Sequence, residues 1–144
     1  MDKKLKISVI GLGYVGLPLA IEFSKKYSVC GFDINDSRVS ELKRGIDSTN
    51  EIDFCKLEKI DIKFTSIKDE LKESDVFIVA VPTPVDKANV PNLKYLENAS
   101  KLVSKYLSKG SYVIYESTVY PGATEEDCVP VLERVSGLKF NMDF

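Results

Sequence analysis

Histidine is missing from all 144 residues. Its absence removes Ser-His-Asp triads, zinc–histidine sites and the commonest general base together. Chemistry must then come from carboxylates, hydroxyls, lysines, thiols or a bound cofactor. Cysteine is scarce and scattered: Cys30, Cys55 and Cys128 are odd in number and show no C-x-x-C spacing. This argues against a disulfide framework or a cysteine zinc site, and favours a reducing cytoplasm; no metal is expected. An excess of positive charge is missing too. Lys and Arg number 20 against 22 Asp and Glu, a net charge of -2 with a pI near 5.3. Nothing electrostatic therefore calls for nucleic acid or an anionic membrane as partner. Lys3, Lys4 and Lys6 form a small basic cluster that reads as a solvated terminus. Repeats, low-complexity segments and internal linkers are absent as well.

What is present is an ordinary globular mixture, 44% hydrophobic and 29% charged. The length implies one domain, able to bury about 68–70% of its unfolded surface. Strand-like and helix-like periods alternate along it. "LKISVI" (5–10) predicts a strand, and residues 14–26 a helix with Leu17 and Ile21 one turn apart. "SVCGFD" (28–33) predicts a second strand and "NDSRVSELKRG" a second helix, with Val39, Leu42 and Ile46 on one face and Gly45 as its stop. A polar stretch, "IDSTNEID", leads through Phe54 and Leu57 to a third strand, "DIKFTS". Ser66 and Asp69 have the spacing of an N-cap for a short helix, "DELKES". "VFIVAV" (76–81) is continuously apolar, as a strand buried on both faces would be. After the loop "PTPVDKANVP", Asn92 opens a helix in which Leu96, Ala99, Val103 and Tyr106 recur and which closes at Gly110. "SYVIYES" predicts a fifth strand, "ATEEDCVPVLERVS" a helix kinked or delayed by Pro130, and "LKFNMDF" the start of a sixth strand that the chain does not finish. The alternation predicts an α/β fold: a doubly wound parallel sheet of Rossmann type, in three layers.

The stretch "SVIGLGYVGLPLA" (8–20) supports two readings. A basic start, an apolar run and Ala20 resemble a secretory signal peptide. Against that, Gly11, Gly13 and Gly16 dilute the apolar run, and Pro18 occupies a position where cleavage wants a small residue. The same glycines form G-x-G-x-x-G between a strand and a helix, the context of a dinucleotide loop. Gly11 then permits the turn, Gly13 admits a pyrophosphate to the backbone, and Gly16 lets the helix pack closely. Free N–H groups near Tyr14 and Val15 lie at the positive end of the helix dipole. Asp33 ends the second strand, where a carboxylate accepts both ribose hydroxyls and repels a 2′-phosphate, favouring NAD over NADP. Arg38 either reaches the adenosine phosphate side or is a solvated helix residue. Pro18 is a mild difficulty, since proline removes a helical hydrogen bond.

Taken with "VAVPTP" and "ESTVYPGAT", this opening resembles the UDP-glucose/GDP-mannose dehydrogenase family, closest to its UDP-N-acetylhexosamine 6-dehydrogenase branch. The resemblance covers nearly the whole chain but only the front of such an enzyme, its NAD-binding domain (1–144). The central helix and the C-terminal UDP-sugar-binding domain are expected to lie outside it. The resemblance implies oxidation of a C6 alcohol of a UDP-sugar to a carboxylate with two NAD in succession, for surface polysaccharide synthesis, by a homodimer. It also implies that Val81, Pro82 and Thr83 face the cofactor, with Thr83 bonding it. Glu116, Ser117 and Thr118 would converge near the nicotinamide, and Thr118 would bond a water or oxyanion during catalysis. Pro82 and Pro84 could instead only shape a turn, and Thr118 could merely cap a helix. Tyr120 and Ala123 depart from the commoner "STVPPGT" and bear on substrate choice.

The family's nucleophilic cysteine sits in a G-F-G-G-x-C-x-P-K-D motif that this chain lacks. The full enzyme would pass through a thiohemiacetal and a thioester on that cysteine before hydrolysis. Cys30, Cys55 and Cys128 read as structural thiols, so the 144 residues alone are expected not to turn over substrate. Two other readings stay open: a β-hydroxyacid or 6-phosphogluconate dehydrogenase domain, against which "VPTP" followed by "ESTVYPG" argues, and a non-catalytic NAD-sensing module. A methyltransferase using S-adenosylmethionine would accept the glycines and the acid but would not predict the threonine-bearing ends of strands four and five.

Overall fold

The computed structural model describes residues 4–52 and 60–144, so Cys55 and the Phe54–Leu57 link lie outside the described residues. The short β-branched runs form strands β1 (Lys6–Ile10), β2 (Ser28–Phe32), β3 (Ile62–Thr65), β4 (Val76–Val79) and β5 (Tyr112–Tyr115). They pair in parallel in the order β3-β2-β1-β4-β5. The helices are α1 (Gly16–Ser24), α2 (Asp36–Lys43), α3 (Lys94–Ser104) and α4 (Val129–Ser136). Alternate strand residues feed two separate cores, because successive side chains leave a strand on opposite faces. Ile7, Val9, Val29 and Ile78 meet Leu17, Ala20 and Ile21 of α1 and Val39 and Leu42 of α2. On the other face Ile10, Cys30, Phe32, Phe77 and Val79 meet Leu96, Ala99 and Val103 of α3 and Leu132 of α4. Burying one large apolar side chain contributes roughly 1.5–3 kcal/mol, and Leu17, Phe77, Leu71 and Val79 are fully buried. The doubly wound, three-layered sheet expected of the alternation is thus the observed architecture.

Several local expectations fail for identifiable reasons. α1 begins at Gly16 rather than Tyr14, which puts Pro18 in the first turn, where N–H groups lack helical partners anyway. The expected difficulty with Pro18 therefore does not arise. Ser66 caps nothing; instead the Thr65 hydroxyl accepts the Ile67 N–H at 3.0 Å, and "DELKES" yields only a 3-10 turn, Lys68–Leu71. Gly45 stops α2 in a left-handed conformation, φ 75°, and that turn throws Ile46 off the shared face, leaving it exposed. α3 stops at Ser104, not Gly110, although Tyr106 still packs on the core and donates to Asp69 at 3.0 Å. Pro130 cannot bond back into the preceding turn, and that turn widens into a π-helix, Thr124–Cys128, ahead of α4. The expected sixth strand is a turn. Asn141 is left-handed at φ 59°, the Asp143 carboxylate accepts the Lys139 N–H at 3.0 Å, and the Asp143 carbonyl accepts the Gly110 N–H at 2.6 Å. The local Asp143–Lys139 bond displaces an extended conformation, and the bond to Gly110 anchors the turn to the rest of the fold. Among the described residues no helix is long and apolar enough to cross a membrane, and no acidic, Cys or His cluster could hold a metal.

Candidate cofactor-binding site

Because β1 and β4 are neighbours while the chain runs on from them to opposite faces, their carboxyl ends form the switch point of the sheet. The glycine loop leaves β1 there, and Ala80 to Thr83 leave β4. A Cβ on Gly11, whose φ is +96°, would stand 2.8 Å from the Ala80 carbonyl oxygen. A Cβ on Gly16 would stand 1.8 Å from the Gly11 carbonyl oxygen. Both positions thus answer to the protein's own packing. Gly13 does not: a Cβ there would meet nothing within 4 Å.

Beside that open space α1 begins without a side-chain cap, and the N–H groups of Tyr14, Val15 and Gly16 have no acceptor among the described residues. Tyr14 and Val15 are exposed. Unpaired N–H groups at a helix start present partial positive charge. A diphosphate fits what these residues leave unfilled: acceptor oxygens for the free donors, and bulk where Gly13 supplies none.

Asp33 follows β2 as expected and is fixed from two sides. One carboxylate oxygen accepts the Leu12 N–H at 2.9 Å, the other the Asn35 N–H at 2.9 Å. Each keeps lone-pair capacity for a further donor, such as a ribose hydroxyl. Arg38 is not a solvated helix residue: it is 8% exposed. Its Nε donates to the Leu12 carbonyl at 2.9 Å, Nη1 to the Ser48 hydroxyl at 3.2 Å, and Nη2 to Asp47 at 2.7 Å. The Leu12 residue is therefore held by Asp33 at its N–H and by Arg38 at its carbonyl. Asp47 also accepts from the Thr49 N–H and hydroxyl and from the N–H groups of Glu51 and Ile52. Burial opposes its ionisation, but these hydrogen bonds from Thr49, Arg38 and the backbone outweigh it and hold the carboxyl at about 2.

On the far side of the switch point, two hydroxyls tie the ends of β4 and β5 together. Ser117 donates to the Val81 carbonyl at 2.6 Å, and Thr83 donates to the Thr118 carbonyl at 2.6 Å. These bonds and the parallel pairing of β4 with β5 bring Val81, Pro82, Thr83, Glu116, Ser117 and Thr118 to one edge. It leaves the exposed Thr118 hydroxyl without a partner among the described residues. After Pro82, the Asn92 N–H donates to the Pro84 carbonyl at 2.8 Å and Val85 bridges to Pro91, so the segment from Pro84 to Asn92 closes on itself. Cys30 and Cys128 are buried, and burial pushes both thiols up, which suits structural rather than nucleophilic cysteines. The residues that sequence reasoning missed are Asp47, Ser48 and Thr49. The only hint was the Asp-Ser-Thr run itself, a pattern that satisfies neighbouring backbone in turns.

The family model of the UDP-glucose/GDP-mannose dehydrogenase family, NAD binding domain, matches residues 5–144. UDP-N-acetyl-D-glucosamine 6-dehydrogenase of Pseudomonas aeruginosa is 59% identical over 143 residues, covering 99% of this chain and 34% of its own. Protein CapL of Staphylococcus aureus is 55% identical over 138 residues, 96% of this chain and 32% of its own. Among solved structures, the UDP-D-ManNAc dehydrogenase of Pyrococcus horikoshii superposes with a TM-score of 0.90 at 38% identity, over 97% of this chain and 34% of that one. The chain spans about a third of the length of the relatives it matches.

Proposed function

The chain belongs to the UDP-glucose/GDP-mannose dehydrogenase family as its NAD binding domain, and we propose from that premise that it is the cofactor-binding third of a UDP-N-acetylhexosamine 6-dehydrogenase. The whole enzyme would oxidise the C6 alcohol of the UDP-sugar to a uronic acid with two NAD, in the cytoplasm, for surface polysaccharide. It would act as a homodimer, without nucleic-acid or membrane partners. The central helix, the UDP-sugar-binding domain and the nucleophilic cysteine belong to parts of that enzyme outside these residues. The 59% identity to a UDP-N-acetyl-D-glucosamine 6-dehydrogenase supports this substrate class.

NAD, when bound, supplies the hydride acceptor. The chain's own residues bind and orient. Gly11 and Gly16 shape the turn, Gly13 leaves room for the pyrophosphate to approach its backbone, and the free N–H groups of Tyr14 and Val15 donate to its oxygens. Asp33, already fixed by Leu12 and Asn35, accepts the ribose hydroxyls. Arg38 serves the same loop by holding the Leu12 carbonyl. Val81, Pro82 and Thr83 line the other wall with Glu116 and Ser117, and the unpartnered Thr118 hydroxyl bonds a water or a developing oxyanion.

The observation that carries the proposal is Gly13, a glycine that no contact among the described residues requires, beside N–H groups without an acceptor among them. Titration calorimetry of this chain with NADH tests it: saturable one-to-one binding is expected. A coupled assay at 340 nm with UDP-N-acetylglucosamine and NAD should give no sustained NADH, and steady turnover would refute the division of labour.

A further inference from the structure

Arg38 stands where a cation could serve an adenosine phosphate: it touches the same residue, Leu12, whose N–H the Asp33 carboxylate holds. In dinucleotide sites a nearby arginine is what accommodates a 2′-phosphate, and an acid after the second strand is what excludes it. This chain has both the acid and the arginine, so the acid alone does not account for selection. What distinguishes Arg38 is that each of its guanidinium nitrogens already donates to a protein oxygen. Nε serves the Leu12 carbonyl, Nη1 Ser48, and Nη2 Asp47, with Thr49 a weaker second partner at 3.4 Å. Glu41 adds a carboxylate 3.7 Å from Nη1. The Arg38 and Asp47 side chains are 9% and 1% exposed. Freeing the arginine would leave the buried Asp47 carboxylate without its counter-charge, a cost that a solvated phosphate contact does not recover.

We propose that Asp47 is a cofactor-selecting residue of this site: by engaging Arg38 it withholds that guanidinium from a 2′-phosphate and commits it to orienting the glycine loop through the Leu12 carbonyl. Asp33 then repels the extra phosphate, and Asp47 denies it a counter-charge. The arrangement has a further consequence. In a trans peptide the carbonyl and the following N–H point in opposite directions, so Arg38, by fixing the Leu12 carbonyl, also fixes the Gly13 N–H. Asp47 acts on neither cofactor directly; it is a positioning residue.

The inference rests on the NAD-binding reading, and the test separates the two. Nicotinamide fluorescence titrations with NADH and NADPH would compare the wild-type chain with D33N, D33N/I34R and D33N/D47N. Wild type should bind NADH and discriminate against NADPH. D33N should weaken NADH without making NADPH a good ligand, because Arg38 stays occupied. D33N/I34R places a free guanidinium at a position 82% exposed and should tighten NADPH about tenfold over D33N, the effect of one charge-assisted contact. D33N/D47N should give a similar gain by releasing Arg38, and adding R38Q should abolish it. NADPH binding by D33N alone as tight as by D33N/I34R would overturn the proposal, since Arg38 would then already be available. Because Ile34 is on the surface, that comparison decides the matter even where D47N does not fold. Wild-type protein that binds neither dinucleotide would remove the cofactor site itself, and this inference with it.

Discussion

Replacing Gly13 and Gly16 by alanine one at a time separates a glycine kept for a ligand from one kept for packing. At Gly16 the new methyl would lie 1.8 Å from the Gly11 carbonyl oxygen and 3.3 Å from the Ala80 Cβ. The loop must move, and overpacking of this kind costs about 1–3 kcal/mol or more. At about 2–4 °C per kcal/mol for a domain of this size, Gly16→Ala should melt roughly 3–10 °C below wild type. At Gly13 the methyl meets no protein atom, and Gly13 is not among the positive-φ glycines, so stability should stay within about 0.5 kcal/mol. Binding should not survive as well. A methyl there holds a pyrophosphate away from the Tyr14 and Val15 N–H groups. Loss of charge-assisted bonds worth about 1.5–3 kcal/mol each should weaken NADH by roughly 30- to 150-fold if 2–3 kcal/mol is forfeited in all. Differential scanning fluorimetry and calorimetric titration of both variants give the two numbers. A Gly13→Ala protein that binds NADH like wild type, or that melts as early as Gly16→Ala, would refute the reasoning.

The Asp47 carboxyl, held at about 2 against an ordinary 3.8, stabilises the fold fully above the unfolded value near 4 and loses that contribution as pH falls toward 2. The shift corresponds to about 2 kcal/mol, so urea melts should show the wild-type advantage over D47N shrinking by that amount between pH 6 and pH 2. Tyr115→Phe removes the 2.6 Å bond to the fully buried Ser100 hydroxyl and should cost about 1–3 kcal/mol by urea denaturation, mostly recovered when Ser100→Ala is added. Burial pushes the Tyr115 hydroxyl up, and absorbance at 295 nm should show that tyrosine ionising only as the protein unfolds. Cys30 and Cys128 should react with Ellman's reagent only in denaturant, as expected of buried thiols with raised pKa; single-cysteine variants resolve them from Cys55.

The fold was legible wherever two signals agreed. "VFIVAV" is apolar on both faces of a strand, and β4 is indeed central, paired with β1 and β5. Gly45 ends α2 as its place in the sequence predicts, because stop chemistry acts on its immediate neighbours. Legibility failed where one short run carried two competing local bonds. "LKFNMDF" has strand-like residues, yet Asp143 is close enough to Lys139 to close a turn first. Thr65 and Ser66 are equally plausible acceptors for the next N–H, and which hydroxyl points back is decided by the register of β3 with β2, not by composition.

The candidate site divides along the same line, and the division explains why Arg38 was ambiguous from sequence. Residues whose role depends on backbone conformation could be placed from spacing. Gly11 and Gly16 hold their positions because a Cβ would strike atoms set by the strand–turn–helix itself. Roles that depend on which partner a flexible side chain selects could not be placed. Thr83 and Ser117 were visible as hydroxyls on the right edge, but their commitment to the Thr118 and Val81 carbonyls follows from the spacing of β4 and β5. Arg38 is the extreme case, since its Asp47 partner lies nine residues on, in a polar stretch with no periodicity to orient it. A long cation near an acid is as compatible with a ligand as with an internal ion pair. Burial separates the two: a guanidinium 9% exposed, donating to Leu12, Ser48 and Asp47, is an internal ion pair that holds the Leu12 backbone.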